Sequence, residues 1–214
     1  MSLSRLIGAS LAAGAVFFPS GGPPNAVVRP DTNHHREQRN WTFHAGELLV
    51  AAPRMRDPRF RKAVILLVRH DRSGAFGLVV NRVLRTVKVA LLLERLGLKT
   101  PDDAGEIVVH YGGPVEPQRG FVLHSTELQL PNAHKVNDDI ALSSHVAVLR
   151  AIALGKGPRR TIFAVGYAGW GPGQLEGEMR RGDWFTAPAD IDILFDVKQD
   201  TKWTRAMARR FRTL

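Results

Sequence analysis

The amino-acid sequence predicts an α+β fold, and three observations carry that prediction. From Gly46 onward, apolar runs of roughly four to eight residues alternate with turn signals, as buried strands do. Segments with helical periodicity are fewer than these strand candidates. The two kinds do not alternate one for one, which separates the chain from doubly wound parallel sheets.

The strand candidates are residues 46–52 (GELLVAA), 63–69 (AVILLVR), 76–83 (FGLVVNRV), 107–111, 120–124, 161–167 and 191–195. The second and third are expected to form a hairpin across Ser73–Gly74. About four helices are readable between them. Residues 87–96 carry apolar side chains at helical spacing, with Thr86 as the cap and Gly97 as the stop. Ser143 or Ser144 is expected to cap a second helix that presents Val146, Leu149, Ile152 and Ala153 on one face. A short third helix over 174–181 has acids early and arginines late, which suits the helix dipole. A fourth, over 201–212, puts Trp203, Met207 and Phe211 on one side and Lys202, Arg205, Arg209 and Arg212 on the other.

The chain has 214 residues, no cysteine and a formal net charge of +10. Without cysteine there are no disulfides, thiolate metal sites, Fe–S ligands or cysteine nucleophiles. The positive charge favours an anionic ligand or nucleic acid as partner, without conferring specificity. Between Arg54 and Lys99, twelve Lys and Arg face Asp57, Asp71 and Glu94, a basic surface with no helix-turn-helix or RNA-binding aromatic pattern beside it. Residues 1–45 form a leader of different character. Its thirteen-residue apolar run at 6–18 is shorter than the roughly 20 residues of a membrane span, and reads as either signal-like or an extension outside the domain. Residues 46–214 read as a single domain.

No complete catalytic, metal or cofactor set is visible. Residues 161–173 (TIFAVGYAGWGPG) run from a strand through glycines toward a helix, the arrangement that offers backbone amides to a phosphate. The glycine spacing is not that of the dinucleotide fingerprint, and Glu176 and Glu178 would repel an anion. His124 and Ser125 are adjacent on a strand and therefore point to opposite faces, so they form no dyad with each other. His70–Asp71 reads either as an acid–base pair or as a turn. Gly112 and Gly113 mark a close backbone approach.

Taken in order, several features resemble the YqgE/AlgH family of uncharacterised bacterial proteins. They are Asp57–Pro58–x–Phe60, the strand ending at His70, residues 74–81 (GAFGLVVN), Gly112–Gly113–Pro114, residues 119–124 (RGFVLH), residues 166–178 (GYAGWGPGQLEGE) and Trp184. The resemblance implies an α+β fold with a bent, barrel-like mixed sheet, a cytoplasmic location, no settled biochemical activity and a role in transcriptional regulation. The clustered Gly, aromatic and polar residues without a nucleophile–base pair make a non-enzymatic binding or regulatory protein the expected reading. The resemblance also implies a shared site drawn from Asn81, Arg119, His124, Tyr167, Trp170, Gln174 and Glu178. Gly77, Gly112, Gly113, Gly169, Gly171 and Gly173 would serve as structural glycines. Arg119, His124 and Trp170 are expected to meet around one concavity. The alternative is a hydrolase or binder acting on a phosphorylated, nucleotide-like or nucleic-acid ligand.

Overall fold

The computed structural model describes residues 44–99 and 103–210. Its strands are β1 (Glu47–Ala51), β2 (Val64–Asp71), β3 (Gly74–Val79), β4 (Val83–Lys88), β5 (Glu106–Tyr111), β6 (Val115–Ser125), β7 (His134–Lys135), β8 (Ile140–Ser143), β9 (Thr161–Trp170) and β10 (Trp184–Pro188). The helices are α1 (Val89–Glu94), α2 (Val146–Ala153), α3 (Gln174–Arg180), α4 (Ile191–Leu194) and α5 (Gln199–Ala208). The strand order is β10–β1–β2–β3–β9–β6–β8–β7, with β4 attached through β5 and β5 through β9. Every pairing is antiparallel except β5 with β9, and the sheet curls into a half-barrel.

Both faces of this sheet are covered, so its central strands are nearly continuous hydrophobic runs. Alternation sorts their side chains. Leu48, Val50, Leu66 and Leu78 face a core closed by α4 and α5, whereas Leu49, Ala51, Ile65 and Val79 face a second core that includes Trp170, Leu175 and Trp184. A third core lies between α1, α2 and the strands β5, β6 and β9.

The bend in the sheet comes from one crossing. Phe163, Ala164 and Val165 of β9 pair with β5 along one edge and with β6 along the other. A strand has only two edges, so residues 112–114 must carry the chain over β9 from one side to the other. Gly112 N–H donates to Val165 O at 2.8 Å, while Gly112 O accepts from Val79 N–H at 2.8 Å. A side chain at Gly112, Gly113 or Gly166 would collide with backbone. A Cβ on Gly113 (φ +155°) would lie 2.1 Å from the Tyr167 carbonyl carbon, and one on Gly166 (φ +73°) would lie 2.3 Å from Gly113 O. Beyond the crossing β9 changes partner, and Ala168, Gly169 and Trp170 pair with β3.

Three expectations about the secondary-structure elements are corrected. Residues 191–195 do not form a strand. The Asp190 carboxylate accepts from Asp192 N–H and Ile193 N–H and starts α4, and a five-residue segment with apolar residues at 191 and 193–195 cannot by itself distinguish the two conformations. The helix over 87–96 is preceded by an exposed edge strand, β4, so α1 begins at Val89 after Lys88 rather than at a Thr86 cap. The cap of α2 is His145, whose Nδ1 accepts from Ala147 N–H at 3.2 Å, rather than a serine. The expected fourth helix is α5, and residues 211–214, like the leader expectation for 1–43, lie outside the described residues.

Lys202, expected on the solvent side of α5, is instead fully buried. Its Nζ donates to Val80 O at 3.0 Å and Leu194 O at 2.7 Å, tying α5 to the end of β3 and capping α4. Burial lowers its pKa from 10.5 to about 8.

Two outcomes follow. Gly113→Ala should lower unfolding stability by about 3 kcal/mol or more in urea titration, because it adds both a backbone clash and a strained φ. For Lys202, the unfolded chain keeps a proton that the folded chain has released between pH about 8 and 10.5, so stability should rise with pH across that window. The rise attributable to this group is about 3 kcal/mol. Lys202→Met should remove it, and an unchanged pH slope in that variant would contradict the assignment.

Candidate functional site

A cavity of about 850 Å³ opens at the rim of the core that holds Trp170 and Trp184. Three segments wall it. The loop after β1 contributes Arg54, Met55, Arg56, Asp57, Arg59 and Phe60, and the crossing contributes Pro114 and Val115. The segment from β9 through α3 to β10 contributes Gly169, Trp170, Gln174, Glu178, Arg181, Asp183 and Trp184.

Glu178 organises the inner wall. Its carboxylate accepts from Trp170 Nε1–H at 2.9 Å, from Trp184 Nε1–H at 2.8 Å and from the Gln174 amide at 3.0 Å. The two indoles meet edge to face with centroids 6.1 Å apart, and Phe60 packs against Trp184 in the same way at 5.6 Å. Gln174 also accepts from Gly171 N–H at 3.1 Å, so this loop amide is already engaged by the chain's own side chain. Glu176 turns inward from α3 to His70 Nε2 at 3.1 Å, while His70 Nδ1 accepts from His44 N–H at 3.1 Å. Two carboxylates of α3 thus anchor that short helix to β2 and to the tryptophan pair.

The outer wall is cationic. Asp57 accepts from Arg59 Nη2 at 2.7 Å and Nε at 3.1 Å, and this partner is the chief reason its carboxyl pKa is lowered. Arg181 Nε reaches Asp183 at 3.1 Å, and the Arg54 guanidinium donates to the Arg181 carbonyl. Arg56 is exposed and makes no hydrogen bond or ion pair among the described residues. Four arginines against three carboxylates leave the lining with one net positive charge.

The residues expected to share a site divide into three groups. Trp170, Gln174 and Glu178 line the cavity together. Asn81 supports it from behind. Its Oδ1 accepts from Val64 N–H at 2.9 Å and its amide donates to Lys62 O at 2.8 Å, while Arg82 donates to Arg61 O at 2.9 Å, so the arginine loop is fastened at its C-terminal end.

Arg119, Tyr167 and His124 are not among the lining residues, and the fully buried His124 does not join Trp170 around this cavity. Arg119 pairs with Glu116 at 3.2 Å and lies 5.3 Å from the Phe121 ring centroid, and the Tyr167 hydroxyl donates to the same Glu116 at 3.1 Å. Burial, then that hydrogen bond, raises the Tyr167 pKa. His124 is fully buried, and its Nδ1 faces the Ser125 carbonyl at 3.0 Å. A carbonyl only accepts, so Nδ1 carries the proton and Nε2 accepts from the Ser143 hydroxyl at 2.9 Å. Desolvation lowers the His124 pKa, which keeps this ring neutral at pH 7. His70 and Asp71 diverge, as neighbours on a strand must. Asp71 accepts from Ser73 N–H at 2.7 Å and closes the turn.

Arg54, Arg56, Arg59, Arg181, Phe60 and Trp184 are site residues that the sequence does not single out as such. Their signal is the arginine-dense stretch around Asp57–Pro58–x–Phe60, which composition alone assigns to a solvated surface. Among the described residues no group of three or more His, Asp or Glu is placed to hold a metal ion. No described helix is long and apolar enough to cross a membrane.

Fold and site define an α+β protein whose curled sheet carries a cationic, tryptophan-backed cavity at the end of one strand. The chain belongs to the AlgH-like family, whose model matches residues 48–212. A UPF0301 protein of Rhodospirillum rubrum is 44% identical over 172 residues, covering 80% of this chain and 90% of the relative. A UPF0301 protein of Caulobacter vibrioides is 45% identical over 169 residues, covering 78% and 87%. The solution structure of the AlgH protein from Pseudomonas aeruginosa superimposes with a TM-score of 0.67 at 38% identity, over 81% of this chain and 92% of that one. A crystal structure of a Corynebacterium diphtheriae protein, at 24% identity and TM-score 0.64 over 82% and 91%, shares the fold.

Replacing Glu178 tests the inner wall. Glu178→Ala leaves two nearly buried indole N–H groups without an acceptor and should cost about 2 kcal/mol in urea unfolding. The near-UV circular dichroism of the tryptophans should change in parallel. Glu178→Gln, which keeps an acceptor oxygen, should lose less. Equal stability and an unchanged near-UV spectrum in the alanine variant would show that the indoles do not depend on this carboxylate.

Proposed function

We propose that this protein is a binding protein rather than an enzyme, and that it takes an anionic ligand between the arginine loop and the Trp170 wall. The observation that carries the reading is the charge arrangement of the cavity. Arg59 and Arg181 have carboxylate partners, Arg54 holds a carbonyl, and Arg56 remains available beside a wall of indole and phenyl rings. A guanidinium next to aromatic surface suits a carboxylate or phosphate attached to an apolar or planar body.

The hydrolase alternative would need a nucleophile that a substrate can reach. His124 and Ser143 have the contact of a base and a nucleophile, but they are 0% and 1% exposed and stand apart from the cavity lining. Their geometry suits a buried cross-strand link between β6 and β8. The regulatory role implied by the family resemblance would then be exercised through the bound ligand, within the cytoplasm, by residues 46–214 acting as one domain.

Titration of the full chain with N-acetylglutamate, inorganic phosphate and AMP, read by tryptophan fluorescence, tests the proposal. At least one probe should give saturable, salt-sensitive binding, and Arg56→Gln should weaken it about ten-fold, the effect of removing one charge-assisted contact. An anion that binds equally well to Arg56→Gln would overturn the assignment, as would turnover of a probe that stops in Ser143→Ala.

A further inference from the structure

The last residues of β9 combine three features that the anion reading does not use. First, they have a free edge. The pairing of β6 with β9 runs from His124–Thr161 to Gly120–Val165, skips residues 116–119, and ends at Val115–Tyr167. Ala168, Gly169 and Trp170 pair with β3 along one edge, and no described strand pairs with the other. Because N–H and C=O groups alternate in direction along a strand, at least one of these three residues directs both toward the open side.

Second, Gly169 is the exposed position of β9, whose residues 162–168 and 170 are all buried. Without a side chain it leaves that stretch of backbone approachable. Gly169 and Trp170 line the cavity, so the open edge is part of its wall rather than of the outer surface. Third, the arrangement that frees the edge is built into the chain, because in the antiparallel register Ala168–Trp170 would face residues 114–112, which cross over β9 instead of running beside it. Residues 116–119, which β6 skips beside Gly166, do not return to that edge, and Glu116, at φ +45°, is held by Tyr167 and Arg119.

We infer that the cavity receives an extended, acidic segment of another protein, which adds as a short strand to the open edge of β9. This rests on the reading of the cavity as an anion site and specifies its occupant. Ala168 is buried against Gly113, so Gly169 and Trp170 form the approachable edge and would pair with about 7 Å of extended chain at roughly 3.3 Å per residue. Successive side chains of an added strand point to opposite sides. One set would meet Val115, Phe60 and Trp170. The other would reach Arg56 and Arg54, where the single surplus positive charge calls for one carboxylate rather than a highly charged ligand such as a nucleic acid. Backbone pairing supplies affinity in this mode, and side-chain pockets supply selectivity.

The probe is a blocked pentapeptide with a central glutamate between β-branched residues, titrated into the full chain and read by tryptophan fluorescence. Saturable one-to-one binding is expected. Replacing the glutamate by glutamine should weaken it about ten-fold in the parent chain and leave it unchanged in Arg56→Gln. Methylating each peptide nitrogen in turn should produce losses of ten-fold or more at alternate positions only, the signature of a paired strand. Uniform tolerance or uniform loss would overturn the inference. If N-acetylglutamate, phosphate or AMP binds and the peptide does not, this inference falls and the anion site stands. If neither small anions nor the peptide bind, both fall.

Amide hydrogen exchange identifies other occupants. Exchange across Ala168–Trp170 should slow on adding the peptide. Full protection already present in the free chain at every concentration would assign the edge to a segment of the chain itself, and protection that rises with protein concentration would assign it to a second copy. Either result would overturn the proposal.

Discussion

Gly112, Gly113 and Pro114 lift the chain over β9, with Gly166 bent beneath them, and the backbones meet so closely that no Cβ fits between them. The crossing is what allows β5 and β6 to occupy opposite edges of the same three residues of β9. It also ends β5 in time for β3 to take over the edge beyond it. The curl of the sheet, the partner change along β9 and the stretch of strand left open beside the cavity are therefore consequences of one contact. Sheet twist alone does not produce such a switch, and a residue with a side chain could not replace Gly112, Gly113 or Gly166.

Around this contact the chain uses polar groups where ordinary packing would not fix an orientation. Glu178 sets two indoles by their N–H groups, and Glu176 sets a buried histidine on β2. Asn81 and Arg82 fasten the arginine loop through its backbone. Lys202 joins three elements through two carbonyls. Each of these groups is satisfied by a named partner, which makes them devices for positioning rather than sources of net stability. The arginines outside them hold carboxylates or carbonyls in part only, and Arg56 holds none. A rigid inner wall facing a partly unpaired cationic outer wall favours capture of a ligand over chemistry on it.

Much of the central sheet is legible in the sequence because burial on both faces writes a strand as an apolar run. That holds for β1, β2, β3, the C-terminal half of β6 and the N-terminal part of β9, while β5, with Glu106 and Val108 exposed, is legible only from its β-branched run. The strand β4 is not legible, since its side chains are exposed and the helical spacing of the following residues overlaps it. Residues 191–195 are ambiguous because only the Asp190 carboxylate, bonded to two amides, decides between helix and strand. Lys202 reads outward because a helix face with several cations is usually solvated, and nothing local reveals the two carbonyls waiting for it. Within the site, Trp170, Gln174 and Glu178 are legible from the glycine-punctuated run that leads into α3, and within α3 a spacing of four residues keeps Gln174 and Glu178 on one side. His124 stands out for its chemistry, yet its partner depends on the register of β6 against β8, a long-range property. Arg54, Arg56 and Arg59 are in plain view as charge, but their convergence on Trp170 requires the crossing to be in place.

The backbone crossing, and not the local sequence of the cavity, places the tryptophan wall. The indole Nε1–H signals of Trp170 and Trp184 in a ¹⁵N-labelled chain report that placement directly. Gly113→Ala should shift both signals in the folded protein. Gly105→Ala also replaces a glycine of positive φ, but its Cβ would meet nothing within 4 Å, so it should leave both in place. Identical indole signals in the parent chain and in Gly113→Ala would mean that the cavity is built without the crossing, and the dependence of site on crossing would be contradicted.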